Sequence, residues 1–387
     1  MQKTISTEEI PIKLWLRDME EGALQQARNL ANLPFAYHHV AIMPDAHFGY
    51  GMPIGGVLAT DAVIIPNGVG VDIGCGMCAV KTSLQTIEDQ QIRRVLKQLR
   101  ATIPLGFKHH DKPQHHALMP EAKGTLPVIE KEFKNAATQI GTLGGGNHFI
   151  EIQRGQDGLI WFMVHSGSRN LGYQVANHYN KRAISLNRQW KSSIPPSWQL
   201  AYLPMESEDG LSYFREMNYC VDFARANRMV MCRRIEEAFL ENVTANLKFE
   251  QPINIAHNYA AREKHFGREV YVHRKGATRA AHGEKGIIPG SQGSSSYLVS
   301  GRGNPESFNS CSHGAGRKMG RKQARRELDL EQEKRRLDEK KILHSIRGRQ
   351  DLDEAAGAYK DIEIVIERQN DLVDVLDILQ PLAVIKG

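Results

Sequence analysis

The 387-residue sequence lacks the features that mark several classes of protein. No apolar run approaches the roughly 18–20 residues of a membrane-spanning helix, and the segment before Trp15 has no apolar secretion signal. No glycine-rich loop ends in Gly-Lys-Ser or Gly-Lys-Thr as a P-loop does, and no Gly-x-Gly-x-x-Gly precedes a helix. The short motifs of RNA-recognition, KH and zinc-knuckle modules are missing as well. We therefore expect no membrane partner and no common nucleotide-binding or RNA-binding module.

Cysteine is scarce too: the five cysteines are scattered and odd in number, which favours reduced thiols and a cytoplasmic protein over a disulfide framework. Cys75 and Cys78 form a Cys-x-x-Cys pair, but a zinc ribbon needs a second pair and the sequence has none. A redox role of the thioredoxin type stays open as an alternative. The simpler expectation is that Cys78 is a buried strand residue.

What the sequence does have is the composition of a globular enzyme, 41% hydrophobic and 24% charged. Its net charge of +6 permits a polyanionic partner such as nucleic acid without identifying one.

Hydrophobic periodicity predicts helices and strands that do not alternate regularly. This favours an α+β fold over a doubly wound α/β fold, and the absence of repeats and linkers predicts one domain over residues 1–387. The predicted helices are Glu20–Leu33, Ile87–Ile103, Gln174–Leu186 and Leu211–Leu247, the predicted strands are Glu269–Arg274 and Ser296–Gly301, and Asn370–Gly387 is predicted as a helix followed by a strand.

Two polar stretches allow more than one interpretation. The mixed-sign charges from Arg317 to Arg349 favour a solvated helical surface, with contact to a phosphate backbone as the alternative. The four histidines between His109 and His116 lie among Lys and Pro residues. They predict an exposed loop, with incidental metal affinity as the alternative.

Other histidines stand in short phrases rich in Gly, Ser or Asn, namely VGVDIGCGM, GGGNHFIE, VHSGSR, AHNY and CSHGAGR. Four of these phrases supply potential metal ligands: Asp72, Cys75, His148, His165 and His257. One carboxylate, one thiolate and three imidazoles suffice for two adjacent metal ions if the sulfur bridges them. Such a mixed set suits Mn²⁺, Zn²⁺, Fe²⁺ or Co²⁺ and argues against Mg²⁺ or Ca²⁺.

The remaining phrase and a Gly/Ser loop suit a phosphate. The loop IIPGSQGSSSYLV runs into a predicted strand and can wrap a phosphate or a base edge, although alone it is better explained as a flexible turn. In CSHGAGR, His313 is followed by small residues and then by Arg317. A neutral imidazole in such a place can act as a nucleophile towards phosphorus.

Taken together, these phrases resemble the RtcB-type RNA ligase family along nearly the whole chain, from MPDAHFGYGMPIGG through HSGSRNLG, RKGA and AYKDI to the terminal VIKG. The resemblance implies one large α+β domain with mixed and antiparallel sheets around a central dinuclear metal site and helices at the periphery. It implies that Asp72, Cys75 and His148 hold one Mn²⁺, and that Cys75, His165 and His257 hold a second.

The resemblance also implies a GMP site. His313 would be the guanylylated nucleophile, Asp45 would orient its ring, and Glu151 would read the guanine edge. The residues implied to surround the nucleotide are Asn147, His148, Phe149, Ile150, Glu151, His257, Asn258, Pro289, Gly290, Ser291, Gln292, Ser296, His313, Gly314, Ala315, Gly316, Tyr359 and Lys386.

The implied reaction joins an RNA 3′-phosphate or 2′,3′-cyclic phosphate to a 5′-hydroxyl through a histidine–GMP intermediate and an RNA(3′)pp(5′)G end, in tRNA splicing or in repair of cleaved RNA. GTP, two Mn²⁺ per chain, RNA and an archease-like activator are the implied cofactors and partners, and we expect Arg169 and Arg317 to hold RNA phosphates. The alternatives are a metal-dependent RNA cyclic phosphodiesterase without ligation and a non-catalytic RNA-binding scaffold. An intact His313, Glu151 and Lys386 argue against the first, and the complete ligand set argues against the second.

Overall fold

The computed structural model describes all 387 residues. The helices are α1 Glu21–Ala31, α2 Pro66–Val69, α3 Asp89–Thr102, α4 Pro127–Gln139, α5 Arg169–Gln189, α6 Glu208–Asn242, α7 Arg321–Glu327, α8 Leu330–Glu339 and α9 Ile362–Glu367. The strands are β1 Lys3–Ile5, β2 Ile12–Leu14, β3 Ala36–Tyr50, β4 Met52–Thr60, β5 Val63–Ile64, β6 Gly76–Lys81, β7 Phe149–Arg154, β8 Ile160–Ser166, β9 Leu203–Pro204, β10 Ile253–Ala256, β11 Asn258–His265, β12 Arg268–Lys275, β13 Ala277–Arg279, β14 Lys285–Ile288, β15 Ser296–Gly301, β16 Ser310–Ser312 and β17 Val373–Lys386.

Two large sheets dominate the architecture. One has six strands in the order β1-β2-β3-β4-β12-β11 and contains the parallel pair β2–β3, so it is mixed. The other has seven strands in the order β10-β6-β8-β7-β17-β15-β14 and is antiparallel throughout. The α+β class with mixed sheets is therefore confirmed, and the single domain over 1–387 stays a prediction. None of the helices is both long and apolar enough to cross a membrane.

Most predicted elements are confirmed, with shifted ends. Helices α1, α3, α5 and α6 and strands β12 and β15 lie where periodicity placed them, and α5 begins five residues earlier than predicted, at Arg169. Cys78 is a buried residue of β6, as expected. The stretch after Arg317 contains the short helices α7 and α8, and His109, His115 and His116 are exposed.

The prediction for Asn370–Gly387 is wrong in its first half, because no helix forms there. The segment is one strand, β17, which pairs with β15 over its first half and with β7 over its second. Alternating β-branched residues such as Val373 and Val375 fit a pleated surface, and pairing on both sides outweighs local helical spacing. Pro381 is tolerated because the register shifts between Pro381 and Ala383, where a bulge relieves the ladder.

Helix α6 packs against β6, β8 and β10 of the seven-stranded sheet and holds two loops next to these strands. The fully buried amide of Asn227 accepts hydrogen bonds from the N–H groups of Gly141 (2.6 Å) and Thr142 (3.1 Å). Its nitrogen donates to the carbonyl oxygens of Thr142 and Gly167 and to the hydroxyl of Ser166. One side chain thus joins the loop before β7 to the loop after β8.

Removing this link should be costly. We expect Asn227→Ala to lower the free energy of unfolding by about 3 kcal/mol, because several buried backbone groups lose their partner at once. Urea unfolding measures the change. Asn218→Ala on the same helix is the matched control, since that amide donates only to the carbonyl of Phe214. Equal losses for the two variants would contradict the anchoring role.

Candidate functional site

The order of the central strands explains why motifs far apart in the sequence meet. His165 on β8 lies opposite Met77 of β6 on one side and opposite Phe149 of β7 on the other. On the far side of β6, Ala256 of β10 pairs with Gly76, and His257 follows directly. A Cβ on Gly76 would stand 1.9 Å from the carbonyl oxygen of Ile255, so only glycine allows this close approach beside Cys75.

The five predicted metal ligands form one continuous row. The Asp72 Oδ2 to His148 Nε2 distance is 3.1 Å, and Cys75 Sγ lies 3.4 Å from His148 Nε2 and 3.2 Å from His165 Nε2. The Nε2 atoms of His165 and His257 are 3.4 Å apart. The row divides into two groups able to hold a metal ion, Asp72–Cys75–His148 and Cys75–His165–His257, which share the cysteine.

Backbone carbonyls set the tautomers of two of these histidines. His148 Nδ1 lies 3.0 Å from the carbonyl oxygen of Leu143, and His165 Nδ1 lies 3.1 Å from that of Asn147. A carbonyl only accepts, so each Nδ1 carries a proton, and in the neutral ring each Nε2 presents a lone pair to the row. Burial, with nearby imidazoles adding to it, lowers the pKa of His165 and His257 well below the usual range, which keeps both rings neutral.

The donor set fits a cation. Burial and the neighbouring Asp72 carboxylate raise the pKa of the Cys75 thiol, so a thiolate at this place needs a positive charge beside it. Desolvation opposes ionisation of Asp72, but the hydrogen bond and charge of His148 outweigh it and lower the pKa of Asp72 to about 2. Donor atoms of sulfur, nitrogen and oxygen therefore face one another at short distances. Soft or borderline metal ions stabilise such an arrangement.

His313 stands at the His257 end of the row, with the two ring centroids 4.8 Å apart. Its Nδ1 lies 2.6 Å from Oδ2 of Asp45, and its backbone N–H donates to the same oxygen. Desolvation of the fully buried Asp45 is outweighed chiefly by the charge of His313, so the pKa of Asp45 is lowered and the carboxylate stays ionised. In the neutral ring this contact places the proton on Nδ1 and leaves the lone pair on Nε2.

A cavity of about 550 Å³ opens beside His313 and His165. Thirteen of the residues implied to surround GMP line it: Asn147, Phe149, Glu151, Pro289, Gly290, Ser291, Gln292, His313, Gly314, Ala315, Gly316, Tyr359 and Lys386. The other five are not among its lining residues. His148 and His257 belong to the row of five predicted metal ligands, called the metal-ligand row below. Ser296 Oγ accepts hydrogen bonds from Gln153 and from the N–H of Gly290 and does not face the cavity.

The last two have other contacts. Ile150 alternates with Glu151 along β7, and its side chain packs in the hydrophobic cluster on the opposite face. Asn258 donates to the backbone oxygen of Asp72 and accepts from the N–H of Gly276. It therefore holds the loop that carries Asp72 in place.

Glu151 is a buried carboxyl facing the cavity. Burial raises its pKa to about 8, against the opposing influence of the Lys386 ammonium. Its Oε2 accepts a hydrogen bond from Gln153 at 2.7 Å, and its strand neighbour β17 brings Lys386 opposite Phe149. An acidic group kept partly protonated by its site is typical of functional clefts.

Sequence reasoning missed a buried carboxylate on the cavity wall. Glu354 receives hydrogen bonds from Arg317 (2.9 Å), Arg321 (2.8 Å) and the hydroxyl of Tyr359. The only signal was its place in DLDEAAGAYKDI, five residues before Tyr359. Arg317 is thus already engaged at the cavity wall, and Arg169 bonds to Gly106 O and Thr142 Oγ1 beside the metal-ligand row. Both guanidinium groups lie near the site, and their contact with RNA stays a prediction.

Comparison with known proteins identifies the family. Residues 26–127 and 115–387 match the family described as "tRNA-splicing ligase RtcB". The chain is 37% identical to the RNA-splicing ligase RtcB of Escherichia coli K12 over 99% of both chains. It is 33% identical to the tRNA-splicing ligase RtcB of Thermococcus kodakarensis, over 95% of this chain and 92% of that one. The chain therefore belongs to the RtcB family, as the resemblance predicted.

Proposed function

We propose that this protein is an RNA ligase that joins an RNA 3′-phosphate or 2′,3′-cyclic phosphate end to a 5′-hydroxyl end through a histidine–GMP intermediate. Membership of the RtcB family supports the ligase class. The observation that carries the mechanism is the contact between His313 Nδ1 and the buried Asp45, at the meeting point of the cavity and the metal-ligand row. The other side chain held by a buried carboxylate at the cavity is Tyr359, but its partner Glu354 is already paired with Arg317 and Arg321, and burial raises the pKa of its hydroxyl.

The first step is attack by His313 Nε2 on the α-phosphorus of GTP. A P–N bond forms, the bond to the β-phosphate oxygen breaks, and pyrophosphate leaves. The Nδ1 proton stays on the ring, and the Asp45 carboxylate stabilises the positive charge that develops there. His313 acts as a nucleophile without losing a proton, since Asp45 already holds the required tautomer.

The guanylyl group then passes to the RNA. An oxygen of the 3′-phosphate attacks the GMP phosphorus, the P–N bond breaks, and neutral His313 is regenerated with an RNA(3′)pp(5′)G end. The 5′-hydroxyl next attacks the RNA phosphorus, its proton is lost, and GMP leaves as a phosphodiester forms. A cyclic phosphate must first be opened by water to the 3′-phosphate. Cationic groups on the cavity wall, Lys386 and Arg317, are placed to offset phosphate charge.

Two Mn²⁺ ions are the proposed metals, one held by Asp72, Cys75 and His148 and one by Cys75, His165 and His257. When bound, such ions neutralise phosphate oxygens and clamp the attacking and leaving oxygens of a displacement at phosphorus. We further propose tRNA halves or cleaved RNA as substrates, an archease-like activator as a partner, and the cytoplasm as the location.

Glu151 is the proposed guanine reader. Once ionised, this carboxyl accepts from the N1–H and the 2-amino group of guanine, whereas adenine presents an acceptor at N1. Glu151→Gln should lower the preference for GTP over ATP by about 100-fold, since a Gln amide can both donate to adenine N1 and accept from its amino group. Rates of label uptake from the two α-labelled nucleotides measure the ratio. Glu250→Gln, which changes an exposed carboxyl outside the cavity in the same way, is the control that should not admit ATP. An unchanged ratio in Glu151→Gln would remove Glu151 from this role.

The experiment that tests the function is a joining assay with two short RNAs, one ending in a 3′-phosphate and the other beginning with a 5′-hydroxyl. With GTP and Mn²⁺ we expect a single longer product and one GMP released per junction. Opening of a 2′,3′-cyclic phosphate without any joined product would instead support the phosphodiesterase alternative.

A further inference from the structure

One feature outside the cavity is the turn Leu105–Lys108, which carries an unusually exposed aromatic ring. Phe107 is 98% exposed, whereas no other large apolar side chain exceeds 58%. A solitary phenyl ring held fully in water has no role in folding, because it buries nothing. The residues around the Phe107 ring indicate what it can bind.

The turn is fastened to the metal-ligand row. The N–H of Gly106 donates to the carbonyl of Gly144 at 3.1 Å, and the carbonyl of Gly106 accepts from Arg169 Nη2 at 3.1 Å. Gly144 in turn lies against His148, because a Cβ placed on it would stand 2.5 Å from His148 Nδ1. The Leu105–Lys108 turn, the glycine loop at Gly144 and the predicted ligand His148 therefore form one continuous layer.

This layer meets the row at its His148 end, whereas His313 stands at the other end. The row runs from Asp72 and His148 through Cys75 and His165 to His257, which contacts His313. Neither His148 nor Phe107 lines the cavity, while His165 and His313 do. A strand bound at Phe107 would therefore reach the row from its Asp72–His148 end, away from His313.

The surroundings of Phe107 suit nucleic acid. Lys108 follows it, Arg169 binds the preceding residue, and Tyr173 lies one helical turn beyond Arg169 on α5 with half of its surface exposed. Exposed aromatic rings interleaved with cationic side chains bind unpaired bases by stacking and phosphates by charge. A protein partner would gain little from a single phenyl ring amid such charges.

We propose that Phe107 stacks on an unpaired base of the RNA strand that supplies the 5′-hydroxyl. The inference rests on the proposed function. In a displacement at phosphorus the attacking and leaving oxygens are roughly in line. GMP leaves on the His313 side, so the attacking 5′-hydroxyl and its strand enter from the opposite end of the row, where Phe107 stands.

The test uses a short single-stranded RNA with a 5′-hydroxyl and the fluorescent base 2-aminopurine near that end, added to the Mn²⁺-loaded protein without GTP. Stacking on a phenyl ring quenches the base. We expect quenching with the wild type and with Phe107→Trp, and its loss with Phe107→Ala. Trp190→Ala, which removes a partly exposed aromatic ring just beyond the far end of α5, is the matched control and should leave it unchanged. Equal quenching in Phe107→Ala and wild type overturns the proposal, as does quenching confined to a label on the 3′-phosphate strand.

A second readout separates this proposal from the ligase function itself. Phe107→Ala should take up GMP from GTP at the wild-type rate and should raise the KM for the 5′-hydroxyl strand about tenfold, with kcat little changed. An unchanged KM contradicts the proposal while leaving the ligase function intact. Conversely, Phe107-dependent quenching in a protein that takes up no GMP would retain the stacking site and reject the ligase function.

Discussion

Replacement of His313 by alanine should abolish uptake of label from α-labelled GTP in the presence of Mn²⁺. The ring is the cavity imidazole that bonds a buried carboxylate, and its loss removes the nitrogen proposed to form the P–N bond. Loss of an enzymatic nucleophile lowers turnover by roughly 10⁶-fold, which places the variant below detection in this assay. Joining of RNA ends should disappear with it, because the 3′-phosphate is then never activated.

Two further variants make the result specific. His282→Ala removes a histidine remote from the row and should take up label normally. Asp45→Asn keeps the His313 nucleophile but cannot stabilise the positive ring, so its guanylylation should be slowed about 100-fold or more, yet remain measurable. Label on His313→Ala equal to that on the wild type would exclude the histidine–GMP intermediate.

The same assay distinguishes a failure of chemistry from a failure of folding. His313→Ala leaves the fully buried Asp45 carboxylate without its ring partner and should lower the free energy of unfolding, so His313→Asn, whose amide can donate to Asp45 in its place, is the variant to compare. A wild-type unfolding curve together with absent label would therefore assign the loss to the missing nucleophile.

The residues that sequence reasoning singled out as metal ligands do lie together in the fold, whereas parts of the chain around them were assigned wrongly. Ligands such as Asp72 and His165 lie in Gly- and Ser-rich phrases, because close backbone approach needs small residues, and this requirement is written locally. The strand β17 was partly misassigned because its identity depends on pairing with β7 and β15, which are distant in sequence. Glu354 escaped notice for a similar reason, since its partners Arg317 and Arg321 meet it only in the folded chain.

Cys75 carries the second large expected effect, because it belongs to both metal-binding groups. Cys75→Ala should reduce bound Mn²⁺ from two ions per chain to at most one that is weakly held, and guanylylation should fall with it. In the wild type, Mn²⁺ at about 100 times its dissociation constant should stabilise the fold by about 2.7 kcal/mol, and the variant should show no such gain. Metal analysis after dialysis and unfolding curves with and without Mn²⁺ measure both effects. Cys78→Ala, which removes another buried thiol three residues away, is the control and should retain both ions.

The pH dependence of metal binding gives a further check on the same thiol. Asp72 is already ionised because its pKa is lowered to about 2, and His165 and His257 are already neutral because burial lowers theirs. Cys75 is the ligand that must lose a proton, since burial raises its pKa. At a pH where the His148 ring is neutral, binding of the metal pair should thus release one proton, from the thiol, and affinity should rise about tenfold per pH unit below the thiol pKa. Calorimetry in two buffers of different ionisation enthalpy counts the proton. If Cys75→Ala still bound two ions per chain, the sulfur would not bridge them. The remaining four ligands would then form two separate mononuclear sites.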